Sequence, residues 1–121
     1  MKHETFGQLL RTLRVNHQDF NSLREFARKV GLSPAYLSRI ENDKEPPPSE
    51  IIIEKLAEAL GTDKYELFSS AGKVPPEFLE TFRKNPKGMA SFLRRAKEVK
   101  LESDSEWEAL ERTLPRVKGR K

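Results

Sequence analysis

Residues 22–43 read SLREFARKVGLSPAYLSRIEND, and the fold turns on how this stretch divides. Ser22-x-x-Glu25 is a capping-box pattern, in which a hydroxyl and a carboxyl three residues apart satisfy the free amides of a helix start. Leu23, Phe26, Ala27 and Val30 follow at helical spacing. Gly31 stops this helix after two turns, because glycine adopts the positive φ that a tight helix end needs. Ser33 then caps a new helix with Pro34 at its first position and Leu37 and Ile40 turned inward. Two helices separated by only Gly31, Leu32 and Ser33 must cross steeply. The crossing needs a small residue where they touch, which Ala27 supplies, and apolar anchors at Val30, Leu32, Leu37 and Ile40. Ser33, Pro34, Ala35, Ser38 and Arg39 are left on the outer face. A major groove is about 12 Å wide and admits a helix presented in this way.

Working outward, Phe6, Leu9, Leu10 and Leu13 form a helical stripe behind Thr5-x-x-Gln8, a second capping pattern, and predict a first helix to about Val15. The polar stretch Asn16 to Asn21, around Phe20, reads as a connection. After Asn42 come Asp43, Lys44, Glu45 and three prolines, Pro46 to Pro48, a stiff loop that cannot be helical. Ser49 caps a fourth helix with Ile52, Ile53, Leu56, Ala57 and Leu60 inward, ended by Gly61. Asp63-x-x-Glu66 starts a short fifth helix that buries Phe68 with either Tyr65 or Leu67 and ends before Gly72. Three further helices are expected beyond it. Pro75-Pro76 opens one with Phe78, Leu79 and Phe82. Asn85-Pro86 opens another with Met89, Phe92, Leu93, Ala96 and Val99. Ser103-x-x-Glu106 caps the last, with Trp107, Leu110 and Leu114, before Pro115 and the basic tail Arg116 to Lys121. No internal repeat and no strand-like alternation stands out. The expected class is all-α: a five-helix domain over residues 1–72 and a helical extension over 73–121.

Composition narrows the function. In 121 residues there is no cysteine, so disulfides, thiol catalysis and cysteine-ligated zinc are excluded, which suits a reducing cytosol. The N-terminus lacks the apolar core of a signal peptide, and no apolar run approaches the roughly 20 residues of a membrane span, so a soluble, cytoplasmic protein is expected. His3 and His17 have no partner at ligand spacing, and no metal site or cofactor is expected. With no glycine-rich phosphate loop and no Ser/His/Asp arrangement, neither is an enzyme. The net charge of +4 is unevenly spread. Residues 1–44 hold 8 Lys/Arg against 5 Asp/Glu, residues 45–72 hold 2 against 6, and residues 73–121 hold 13 against 8. That net charge admits a polyanion partner, and a basic front and a basic end around an acidic middle imply two separate cationic faces.

The stretch quoted first, with its proline-rich loop and IIIEKLAEALGTDKYELF, resembles the lambda-repressor-like helix-turn-helix family, the phage repressor and Cro type also called the xenobiotic-response-element type. The resemblance covers about residues 5–70. It is carried by small Ala27, turn Gly31, apolar Leu37 and Ile40, and the pattern Leu56-Ala57-x-x-Leu60. It implies a double-stranded DNA partner and a recognition helix from Ser33 to Asn42. Base edges would be read from among Ser33, Pro34, Ala35, Ser38 and Arg39, with Arg39 foremost, since guanidinium pairs bidentately with guanine O6 and N7. Pro34 and Ala35 stand where some relatives carry glutamine, which shifts weight to thymine methyls and DNA shape. Phosphates would be met by Ser22, Tyr36, Asn42 and Lys44. The family often ties its first helix to the end of its third with an Arg–Glu pair, and Arg14 and Glu41 stand in those places.

The function expected is that of a transcriptional regulator, foremost a repressor binding an inverted-repeat operator as a homodimer. Residues 73–121 would support dimerisation. Arg83 to Lys100 holds seven basic residues and one acidic, Glu98, which fits a solvated helix face or added backbone contact with DNA. An alternative is an antitoxin or adaptor whose C-terminal helices bind a second protein.

Overall fold

A computed structural model describes residues 4–115, among which eight α-helices and no strand occur. The basic tail expected from Arg116 onward lies outside the described residues. The chain divides into two compact units, one ending at Leu79 and one beginning at Glu80.

The front unit is built from α1 (Phe6–Val15), α2 (Leu23–Val30), α3 (Pro34–Glu41), α4 (Glu50–Leu60), α5 (Lys64–Ser70) and the start of α6 (Pro76–Lys84). Every one of the first five begins at a side-chain cap. Thr5, Ser22, Ser33, Ser49 and Asp63 accept from the amides of Gln8, Glu25, Tyr36, Ile52 and Tyr65 respectively. Each such cap stabilises by about 1 kcal/mol, which matters for helices of two or three turns. The Thr5 box is complete, with Gln8 returning a bond to the Thr5 amide. At Ser22 only the hydroxyl half forms. Gly31 and Gly61 end α2 and α4 in left-handed conformation, at φ 75° and 67°.

Packing follows the apolar stripes. Helix α1 lies against α3 and α5, α2 against α3 and α4, and α4 against α5. The shared core comprises Phe6, Leu10, Phe26, Ala27, Val30, Leu37, Ile40, Ile53, Leu56, Ala57, Leu60, Leu67 and Phe68. Each large member contributes about 1.5–3 kcal/mol by leaving water. Ile52, expected inward, is only half-buried at the core's edge. In α5 the buried pair is Leu67 with Phe68, while Tyr65 is 44% exposed and stacks on Phe78 with ring centroids 5.5 Å apart. Tyr65 also donates from its hydroxyl to Glu77 (3.1 Å), and Lys64 pairs with the same carboxylate at 3.2 Å. These contacts carry the front unit past Gly72 into the first turn of α6.

The second unit holds the rest of α6, α7 (Pro86–Glu98) and α8 (Asp104–Glu111). Ser103 and Glu106 form a complete capping box at α8. Its apolar stripe is thinly covered. Ala96 is buried, but Phe82, Phe92, Leu93 and Trp107 are each roughly two-fifths exposed or more, and Leu114 still more so. Trp107 lines a shallow pocket with Leu93, Ala96 and Leu101 and is not enclosed by it.

Candidate nucleic-acid interface

The α2–α3 crossing is anchored by Ala27, Leu37 and Ile40, all essentially inaccessible to water, with Val30 5% exposed. The turn between the helices is closed by the Leu32 amide donating to the Ala27 carbonyl at 2.9 Å. Gly31 itself is exposed, and a side chain there would meet nothing within 4 Å, so its backbone conformation alone makes glycine the fitting residue.

Behind α3, Arg14 and Glu41 form a buried, bidentate ion pair: Nε to Oε2 at 2.6 Å and Nη2 to Oε1 at 3.0 Å, the side chains 7% and 2% exposed. Nη1 also donates to the carbonyls of Phe20 and Asn21, at 3.1 and 3.0 Å. One guanidinium therefore ties α1, the α1–α2 connection and the last turn of α3. No buried side-chain polar atom among the described residues lacks a partner.

With one face so held, the other is free. Ser33, Pro34, Ala35 and Arg39 are exposed and Ser38 is half-buried. The Ser33 hydroxyl accepts from the Tyr36 amide and keeps its own proton to donate. Ser38 accepts from Asn42 Nδ2 at 3.3 Å, and the same amide group donates to the Ser38 carbonyl at 2.8 Å. Asn42 therefore spends its donor on its own helix and has its side-chain oxygen left. Ser22, the cap of α2, and Lys44, in the loop after α3, are exposed, and Tyr36 on α3 is half-buried. Arg39 lies 6.0 Å from the Tyr36 ring centre and contacts Glu45 through Nε at 3.4 Å.

Two features of this corner escape a reading by motif. Gly7 sits where the start of α1 meets the end of α3. A Cβ there would run into the Ile40 carbonyl, with Asp43 Oδ1 at 2.6 Å and the Glu41 carbonyl at 2.9 Å. Gly7 shares a buried helical face with Leu10 and Arg14, one and two turns further along α1. Asp43, at φ 59°, accepts from the Thr5 hydroxyl at 2.9 Å and pins the loop to α1.

This geometry coincides with a family match: residues 10–67 match the helix-turn-helix family. Over those residues the chain is similar to a lambda-repressor-like helix-turn-helix domain. The chain is similar to part of the HTH-type transcriptional repressor RghR of Bacillus subtilis (strain 168), with 39% identity over 71 residues, 59% of this chain and 51% of that protein. The matched stretch thus spans about half the length of its curated relative. No solved structure matches the chain significantly. Among the described residues, no helix is long and apolar enough to cross a membrane.

Proposed function

We propose that the chain is a non-enzymatic, DNA-binding transcriptional regulator of the repressor type, acting in the cytosol as a homodimer on an inverted-repeat operator. The observation that carries this is the two-faced α3. Leu37, Ile40 and Glu41 are buried on one side, and Ser33, Pro34, Ala35 and Arg39 stand in solvent on the other. Base edges are read from those four and Ser38. Phosphates are met by Ser22, Tyr36, Lys44 and the side-chain oxygen-bearing end of Asn42 through water. Arg14, Ala27, Gly31, Leu37, Ile40 and Glu41 hold the geometry. Two copies place their α3 helices in successive major grooves about 34 Å apart, as two-fold symmetry requires.

Residues 1–72 carry the DNA reading and residues 73–121 the association. The exposed Phe82, Phe92, Leu93 and Trp107 support a protein partner on the second unit, and a second copy of the chain is the reading favoured. Were the full chain monomeric at micromolar concentration in sedimentation, those residues would instead serve an antitoxin or adaptor role toward a different protein. The deciding experiment is selection of bound duplexes from random DNA. The expected result is a palindrome with half-sites one helical turn apart; a pool without enrichment overturns the proposal, and an asymmetric motif overturns the two-fold part of it.

A further inference from the structure

Arginine on an exposed helix face spreads over many rotamers and loses that freedom when it binds. Arg39 is not left in that condition. Its Nε contacts Glu45 Oε1 at 3.4 Å, the Tyr36 ring lies 6.0 Å from its guanidinium carbon, and its carbonyl receives the amides of Lys44 and Glu45 at 2.8 and 3.3 Å. The loop that carries the carboxylate is therefore tied to the backbone of the arginine it contacts. Pro46 follows Glu45 and restricts its backbone to extended conformation, which adds to the stiffness.

Stability does not account for the pair. The two side chains are 49% and 38% exposed, and exposed pairs of this kind contribute little. Affinity does not account for it either, because a carboxylate beside the DNA-facing surface repels phosphates of every sequence. What the contact does is chemical. It occupies Nε and leaves both terminal Nη groups without a partner among the described residues, as an end-on bidentate bond to guanine O6 and N7 needs.

We propose that Glu45 is a positioning residue for base reading: it holds Arg39 by Nε, sharpening discrimination at the base pair Arg39 reads and lowering affinity for all other DNA. The proposal rests on Arg39 being a base reader. The test is parallel selection from a random duplex pool with the full chain as wild type, Arg39→Ala, Glu45→Ala and Glu45→Gln. The best wild-type duplex and its single base-pair variants are then titrated beside an unrelated duplex. Arg39→Ala erases one guanine preference, a loss of about 5- to 150-fold, the range of one bidentate contact. Glu45→Ala keeps the other positions, lowers discrimination at that guanine by about 1.5- to 5-fold through lost side-chain order, and binds the unrelated duplex more tightly. Glu45→Gln retains an acceptor for Nε, so its discrimination falls between wild type and Glu45→Ala while the gain on unrelated DNA persists.

Wild-type discrimination in Glu45→Ala, with affinity raised alike for all duplexes, overturns the positioning role and leaves a repelling surface charge. A uniform loss at every position overturns it as well, since that is loosening of the fold. If Arg39→Ala erases no position, the reading of Arg39 falls and Glu45 with it. If Arg39→Ala erases one and Glu45→Ala does not weaken it, only the role of Glu45 falls.

Discussion

Replacing Arg14 with alanine removes four hydrogen bonds at once and leaves the Glu41 carboxylate, 2% exposed, without its cation. The carbonyls of Phe20 and Asn21 lie near the surface and recover water, so the cost sits in the stranded charge. Breaking a buried pair from one side costs about 3–5 kcal/mol, against a total domain stability of about 5–15 kcal/mol. For a domain of this size each kcal/mol lowers Tm by about 4–8 °C, so Arg14→Ala is expected to melt about 12–40 °C below wild type. Thermal and urea unfolding followed by far-ultraviolet circular dichroism measures both quantities. Desolvation makes the pair itself of small net benefit, so Arg14→Met combined with Glu41→Leu should recover most of the loss. Because neither residue reaches the exposed face of α3, the double variant should also keep its DNA preference. An Arg14→Ala loss below about 1 kcal/mol, or a double variant no more stable than the single, would show that the pair is not the desolvated tie described here.

Other expectations are as specific. Gly7→Ala must push against two backbone carbonyls and Asp43, a clash of about 1–3 kcal/mol or more that the helical advantage of alanine, about 1 kcal/mol, does not offset; a variant as stable as wild type by urea titration contradicts the close approach. Gly31→Ala meets no atoms and suffers only the left-handed conformation, so it should cost about 1 kcal/mol and leave DNA preference in place, whereas loss of preference would mean the turn is more constrained than it looks. Lys44→Ala should weaken all duplexes alike and reduce the salt slope by about one unit, and a sequence-selective effect would assign Lys44 to base reading instead.

The Lys64 ammonium, aided by the Tyr65 hydroxyl and opposed by partial desolvation, holds the Glu77 carboxyl below its ordinary value of 4.5. A depressed folded value means the contribution is present above the unfolded value and is lost as pH falls through the folded one. Amide protection at the start of α6, measured against the intrinsic exchange rate at each pH, should therefore weaken as pH falls below the ordinary carboxyl value of 4.5, and Glu77→Gln should remove that pH dependence. A Glu77 titration midpoint at or above 4.5, read from its carboxyl resonance, would contradict the arrangement.

What local chemistry governs was legible in the residues. Helix starts are set by Ser, Thr and Asp caps within one turn, and their ends by Gly31 and Gly61, so α1 to α5 follow from spacing alone. The outer face of α3 follows too, because Leu37 and Ile40 can only point one way. The α5 core choice between Tyr65 and Leu67 did not follow, since both satisfy a helical period; the arrival of Glu77 and Phe78 beside Tyr65 decided it. Gly7 against the end of α3, the guanidinium of Arg14 reaching the Phe20 and Asn21 carbonyls, and Glu45 against Arg39 were likewise tertiary outcomes. Periodicity reports which side of a helix avoids water. Which atoms meet across that boundary depends on how far apart the packed backbones come to rest, and only the assembled core sets that distance.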